Sequence, residues 1–240
     1  MPPHLPAVAA VTCLAAFVQG ITGFGSALVA MPLLALPLGV RFAAPLVALL
    51  SLATNVALLL PARRRLPWRQ VRPLLLGSLA GIPFGIVFLA RADARVARLA
   101  LGAALIGFGL LLQRWRRLSV GAGSGPALAT GMVAGLLGGA FNFSGPPVIL
   151  YAASRPWTKE ETHATLQLYF LASNVVIVTG QALSGLTTGP VVFAAAAALP
   201  ALAAGAVAGW ALHRRVGEER FRRLVQLALV VAGVTLLLAE

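Results

Sequence analysis

Apolar positions dominate the chain, in runs at about 7–38, 43–62, 73–90, 96–112, 126–153, 164–186, 190–212 and 221–239. A helix needs roughly 20 apolar residues to cross a bilayer, so the pattern predicts an all-α polytopic membrane protein. Runs one and five differ from the others. They are long, and their centres hold GITGFGS (Gly20–Ser26) and GGAFNFSGPP (Gly138–Pro147). Glycine favours tight turns and proline interrupts a helix interior, so each run is predicted to break into two helical arms. Irregular backbone at membrane depth survives only inside protein or beside a watery cavity. The second break predicts a helix starting near Pro146, with Ser144 at its N-cap.

The halves resemble each other. A shift of 115 superposes Gly20, Gly23 and Pro32 on Gly135, Gly138 and Pro147. A shift of 119 superposes Ala53-Thr54-Asn55 on Ala172-Ser173-Asn174, and one of 124 superposes Gly81 and Gly85 on Gly205 and Gly209. The ordered matches predict two four-segment repeats, 1–120 and 121–240, in a single membrane domain. Duplication of this kind marks secondary transporters.

Charge decides how the repeats are expected to sit. If all eight runs cross, the 19 basic residues divide almost evenly. If runs one and five are re-entrant, 15 fall on one side and only Arg41, Arg91, Arg95 and Arg98 on the other. The second division obeys the positive-inside rule. It predicts inverted repeats, each a re-entrant glycine-rich segment plus three transmembrane helices, with both termini on the non-cytoplasmic side. MPPHLPAVAA lacks the basic start of a cleaved signal, so run one is read as part of the mature fold.

Composition agrees. Hydrophobic residues make up 59% of the 240 and charged residues 10%, and mean hydropathy is +0.90. The net charge of +13 lies in short loops and does not suggest nucleic acid. Cys13 is the single cysteine, which rules out an intrachain disulfide and reads as a small core residue.

Candidate chemistry is polar but uncharged. Two half-helix N-termini facing the midplane would offer an anion site, though glycines also serve close helix packing. With Asn142, Ser144 and the prolines added, a binding site is the favoured reading. On run six, His163, Gln167, Asn174 and Gln181 fall within about 40° of one another at helical spacing. Ser51 and Asn55 form a shorter stripe on run two. Interhelical hydrogen bonding is the alternative, favoured for Gln181, and Tyr169 lies off the stripe as a core residue. His163 reads as an interfacial histidine, or as an anion gate titrating near neutrality. Runs four and seven carry no stripe and are expected to face lipid. No Asp, Glu, Lys or Arg lies deep in any run, so a carboxylate relay is absent.

The stretches GITGFGSALVAMP, GLLGGAFNFSGPPVILY and HATLQLYFLASN resemble the TauE/SafE sulfite exporter family of small-anion permeases over nearly the whole chain. The resemblance implies export of sulfite, sulfonates or similar anions across the bacterial inner membrane. It places substrate contacts around Gly20–Ser26, around Gly138–Gly145 and at the start of run six. Asn142 stands where many relatives have glycine, and His163 where arginine is frequent. The candidate substrate-binding residues are Gly20, Gly23, Gly25, Ser26, Asn55, Gly138, Gly139, Asn142, Ser144, Gly145, His163, Gln167 and Asn174. No catalytic residue, metal or cofactor is expected. The expected partners are a small anion and membrane lipid, with homo-oligomerisation open. The alternatives are an anion channel using the same site, an intramembrane enzyme, for which nucleophile and base are missing, and a non-transporting scaffold.

Overall fold

The structure, a computed structural model, describes residues 4–22, 25–59, 67–113, 121, 123–212 and 229–238. Helices among these residues are α1 (Leu5–Thr22), α2 (Ser26–Leu38), α3 (Val40–Leu59), α4 (Trp68–Arg91), α5 (Ala94–Gln113), α6 (Ser124–Phe141), α7 (Gly145–Ala153), α8 (Lys159–Leu183) and α9 (Gly189–Leu212). A final helical stretch, α10, covers Leu229–Leu238. No strand occurs among the described residues.

Six of these helices, α3, α4, α5, α6, α8 and α9, contain windows long and apolar enough to cross a membrane. The chain is a multi-pass, all-helical membrane protein. The six are not quite the set expected from sequence. They include α6, whose 18 residues match a span in length, and omit run eight, of which residues 221–228 lie outside the described residues.

Runs one and five break where glycine and proline predict. Run one divides between Thr22 and Ser26, and run five between Phe141 and Gly145. The ends of the second pair of arms lie close together, since the Arg155 guanidinium after α7 donates to the Gly121 carbonyl before α6.

Two close helix pairs organise the rest. In α4, a Cβ at Gly77, Gly81 or Gly85 would collide with the carbonyl oxygen of Leu128, Met132 or Leu136 in α6. In return, Gly131, Gly135 and Gly139 of α6 abut Leu74, Ser78 and Ile82 of α4. Both series ascend together, so the helices run parallel with glycine every fourth residue on each face. This is the small-residue contact that lets backbones touch in lipid. The pair α1 and α9 repeats it: Gly205 abuts Cys13, Gly209 abuts Phe17, and a Cβ on Gly20 would stand 2.7 Å from the Ala206 oxygen.

Polar side chains tie helices across the interior. Ser78 of α4 donates to the Gly131 carbonyl at 2.9 Å. Its only proton is thereby used, so the Tyr169 hydroxyl of α8 donates to Ser78 at 2.6 Å. Thr165 of α8 reaches Gln70 of α4 at 3.2 Å, and Gln181 donates to the Gly139 carbonyl at 3.2 Å. Arg41, at the start of α3, donates to the carbonyls of Leu89, Ala90 and Ala92. It satisfies the orphan acceptors at the end of α4, where a cation also suits the dipole. Large apolar side chains are exposed on α9 (Val207, Trp210) and α5 (Val96, Leu110), as they also are on α4 (Leu76, Phe84).

Candidate functional site

The two helix breaks meet at one cavity. Its walls come from the end of α1 (Gln19), the start of α2 (Gly25–Leu28), α3 (Ser51, Asn55), the second break (Asn142–Gly145), α7 (Ile149) and α8 (Phe170, Asn174). About 50 Å³ of its space can hold water-sized groups. One water takes about 10–15 Å³ by that measure, so a ligand of roughly four non-hydrogen atoms fits.

The first break delivers backbone donors. Gly25 adopts φ 98° and ψ 7°, a left-handed conformation open to glycine without cost. It turns the chain directly into α2. The first intrahelical bond recorded there runs from the Val29 N–H to the Gly25 carbonyl at 3.4 Å. The N–H groups of Ser26, Ala27 and Leu28 precede it, and all three residues line the cavity. First-turn N–H groups lack intrahelical acceptors and point out of the helix end.

The second break is built differently. Asn142 closes α6 in the left-handed region, at φ 54° and ψ 30°. Its N–H donates to the Gly138 carbonyl at 2.7 Å, and the Phe143 N–H donates to Leu137 at 3.2 Å. The first of these bonds is that of an αL ending, with asparagine in the place glycine usually takes. Its side-chain Nδ2 donates to Ser51 Oγ at 3.1 Å, joining the tip to α3. Ser144 does occupy the N-cap of α7, but it makes no side-chain capping bond. Pro146 and Pro147 bring no N–H, so Ser144 and Gly145 hold the backbone donors of this tip. A branched side chain such as leucine would be strained at the φ of 54° found at position 142.

Of the residues expected from sequence, the structure brings Gly25, Ser26, Asn55, Asn142, Ser144, Gly145 and Asn174 to the cavity wall. It places others elsewhere. Gly20 lies against α9, and Gly139 against α4. A Cβ on Gly138 would meet Ile177 and Ser144, at 3.0 and 3.1 Å. Gln167 is buried and His163 exposed on α8, and neither lines the cavity. Gly23 falls outside the described residues. Gln181 makes the interhelical bond that was the alternative reading of the stripe.

Gln19, Phe143, Ile149 and Phe170 line the cavity without having been singled out in the sequence. Gln19 carried a faint signal, as a lone amide beside Gly20 within an apolar run. The aromatic and aliphatic walls carried none, because such residues fill every run. Gln19 and Asn174 are each 4% exposed, and Gln19 Oε1 and Asn174 Oδ1 have no hydrogen-bond partner. A buried amide oxygen left so costs stability. Among the described residues, no Asp, Glu, Lys, Arg or His lines the cavity. Among the described residues, no cluster of His, Cys, Asp or Glu could hold a metal ion.

The comparisons with known proteins match this architecture. The family model described as sulfite exporter TauE/SafE matches residues 8–236. A protein of Cupriavidus necator named probable sulfite/organosulfonate exporter TauE is 28% identical over 229 residues, covering 92% of this chain and 89% of that one. No solved structure matches the chain.

Proposed function

The chain belongs to the sulfite exporter TauE/SafE family, whose work is transport and not catalysis, and from that premise we propose that it exports a small sulfur-containing anion, sulfite or an organosulfonate. The observation that carries the reading is the cavity where the α2 N-terminus, the second tip and Asn55, Asn142 and Asn174 converge. Neutral donors suit an oxyanion that must be released again. Amide NH2 groups and first-turn N–H groups replace water around its oxygens, with no fixed cation to hold it. Sulfite has four non-hydrogen atoms, the size for which the cavity has room.

The proposed architecture is a pair of inverted repeats, 1–120 and 121–240, whose re-entrant tips meet near the midplane. Several contacts support it. Helix α8 follows α4 in direction, through Thr165–Gln70 near their starts and Gly180 against Ile86 near their ends. The five-residue turn Ser184–Thr188 returns the chain along α9, and α1 runs parallel to α9. Helices α1 and α6 then approach the cavity from opposite ends. In this reading the protein lies in a bacterial inner membrane with both termini on the non-cytoplasmic side. Alternating access comes from one repeat rocking against the other around the fixed site. The membrane potential contributes about 2.3 kcal/mol per charge per 100 mV to the exit of an anion.

Thermal unfolding of the purified protein in detergent tests the site. A ligand at 100 times its Kd stabilises the folded state by about 2.7 kcal/mol. Sulfite is expected to raise the midpoint of the wild type and leave that of Asn174→Leu unmoved. An equal shift in both proteins would refute the assignment of the cavity.

A further inference from the structure

We propose that the cavity is selective for charge state: it takes singly charged oxyanions and rejects doubly charged ones of the same shape. The inference rests on the anion-site reading above and adds the ionic form of the substrate to it.

Two helix N-termini contribute to the cavity wall, those of α2 (Ser26, Ala27, Leu28) and α7 (Ser144, Gly145). A full helix N-terminus is equivalent to roughly half a positive charge, and α7, whose Pro146 and Pro147 carry no N–H, contributes less, so together they balance at most about one negative charge. The remaining polar wall is neutral: Gln19, Ser51, Asn55, Asn142 and Asn174. The amide oxygens of Gln19 and Asn174, on side chains 4% exposed, have no hydrogen-bond partner and add negative dipole ends beside the cavity, which oppose a second charge.

Among the described residues, no side chain supplies the missing positive charge. Helices α1, α2 and α6 contain no charged residue. On α3 the one charged residue, Arg41, is committed to the end of α4. After α7 comes Arg155, over the Tyr151 ring and bonded to Gly121. On α8, Lys159, Glu160, Glu161 and His163 lie in the first turns, about 11 or more residues before Asn174, which is about 16 Å along a helix. None of these lines the cavity. A second negative charge would be buried without a counter-charge, which is strongly unfavourable in a low-dielectric site.

For sulfite, whose last proton ionises near neutral pH, the transported form is then hydrogensulfite. Permanently singly charged sulfonates are carried at any pH. The dependence on pH belongs to the substrate, since no titratable side chain lines the wall.

The test uses two isosteric probes, methanesulfonate and methylphosphonate, with the wild-type protein in proteoliposomes at mildly acid and mildly alkaline pH. Methanesulfonate carries one charge throughout. Methylphosphonate carries one charge in mild acid and two in mild alkali. The expected result is methanesulfonate flux at both pH values. Methylphosphonate flux should be comparable in acid and fall in alkali with the singly charged fraction that remains, by about tenfold, because the second charge is uncompensated. Equal flux of both probes in alkali would overturn charge selection while leaving the anion site standing. Flux of neither probe at either pH would overturn the anion-site reading, and this inference with it.

Discussion

Asn142 has a backbone duty and a side-chain duty. Its left-handed φ of 54° is the one positive value among the described non-glycine residues, and its Nδ2 reaches Ser51. Glycine keeps the first duty and loses the second, whereas alanine loses both. Asn142→Gly is expected to unfold at the wild-type temperature or above it, and Asn142→Ala to be about 1 kcal/mol less stable than Asn142→Gly. Both should show reduced flux. Thermal unfolding with proteoliposome flux checks the pair, and equal stability of the two variants would show that the turn does not need a left-handed residue. At this scale the sequence was partly legible. Asn142, Ser144, Asn55 and Asn174 stood out because polar residues are rare in apolar runs, and all four line the cavity. Gln167 stood out as well, yet it does not line the cavity, whereas Gln181 turns to the Gly139 carbonyl, as its favoured reading had it. Which way a lone amide faces depends on its neighbours in space, which periodicity does not name.

Glycine positions divide the helices into contacts and open faces. Gly81 sits against the Met132 carbonyl, whereas a Cβ on Gly107 of α5 would meet nothing within 4 Å. Alanine gains about 1 kcal/mol of helix propensity at either place. At Gly81 that gain is outweighed by separating two backbones, since overpacking costs about 1–3 kcal/mol. Gly81→Ala is therefore expected to lower the unfolding temperature and Gly107→Ala to hold or raise it. The reverse order would remove the α4–α6 contact from the account. The breaks in runs one and five were legible because glycine and proline act locally. The pairing of α4 with α6 and of α1 with α9 was not. Glycine at every fourth position announces a close contact without naming the partner, and Gly20 and Gly139 serve such contacts.

Across the whole molecule, the uneven division of arginines and the directions of the helices support the proposed inverted topology. In a Cys13→Ser background, cysteines at His4 and Glu240 should react with a membrane-impermeant thiol reagent from the periplasmic side. A cysteine at Arg69, at the start of α4, should react only after the cytoplasmic side is opened. Labelling of His4→Cys only from the cytoplasm would refute the inverted arrangement. The central claim is that a sulfur anion crosses through the cavity between the two tips. Sulfite efflux from proteoliposomes under a potential negative inside tests it most directly, comparing the wild type with Asn174→Leu at matched reconstitution and matched thermal stability. A hydrogen bond to a charged group is worth about 1.5–3 kcal/mol, so the account predicts efflux by the wild type and a loss of at least about tenfold in the variant. Efflux by Asn174→Leu at the wild-type rate would contradict it.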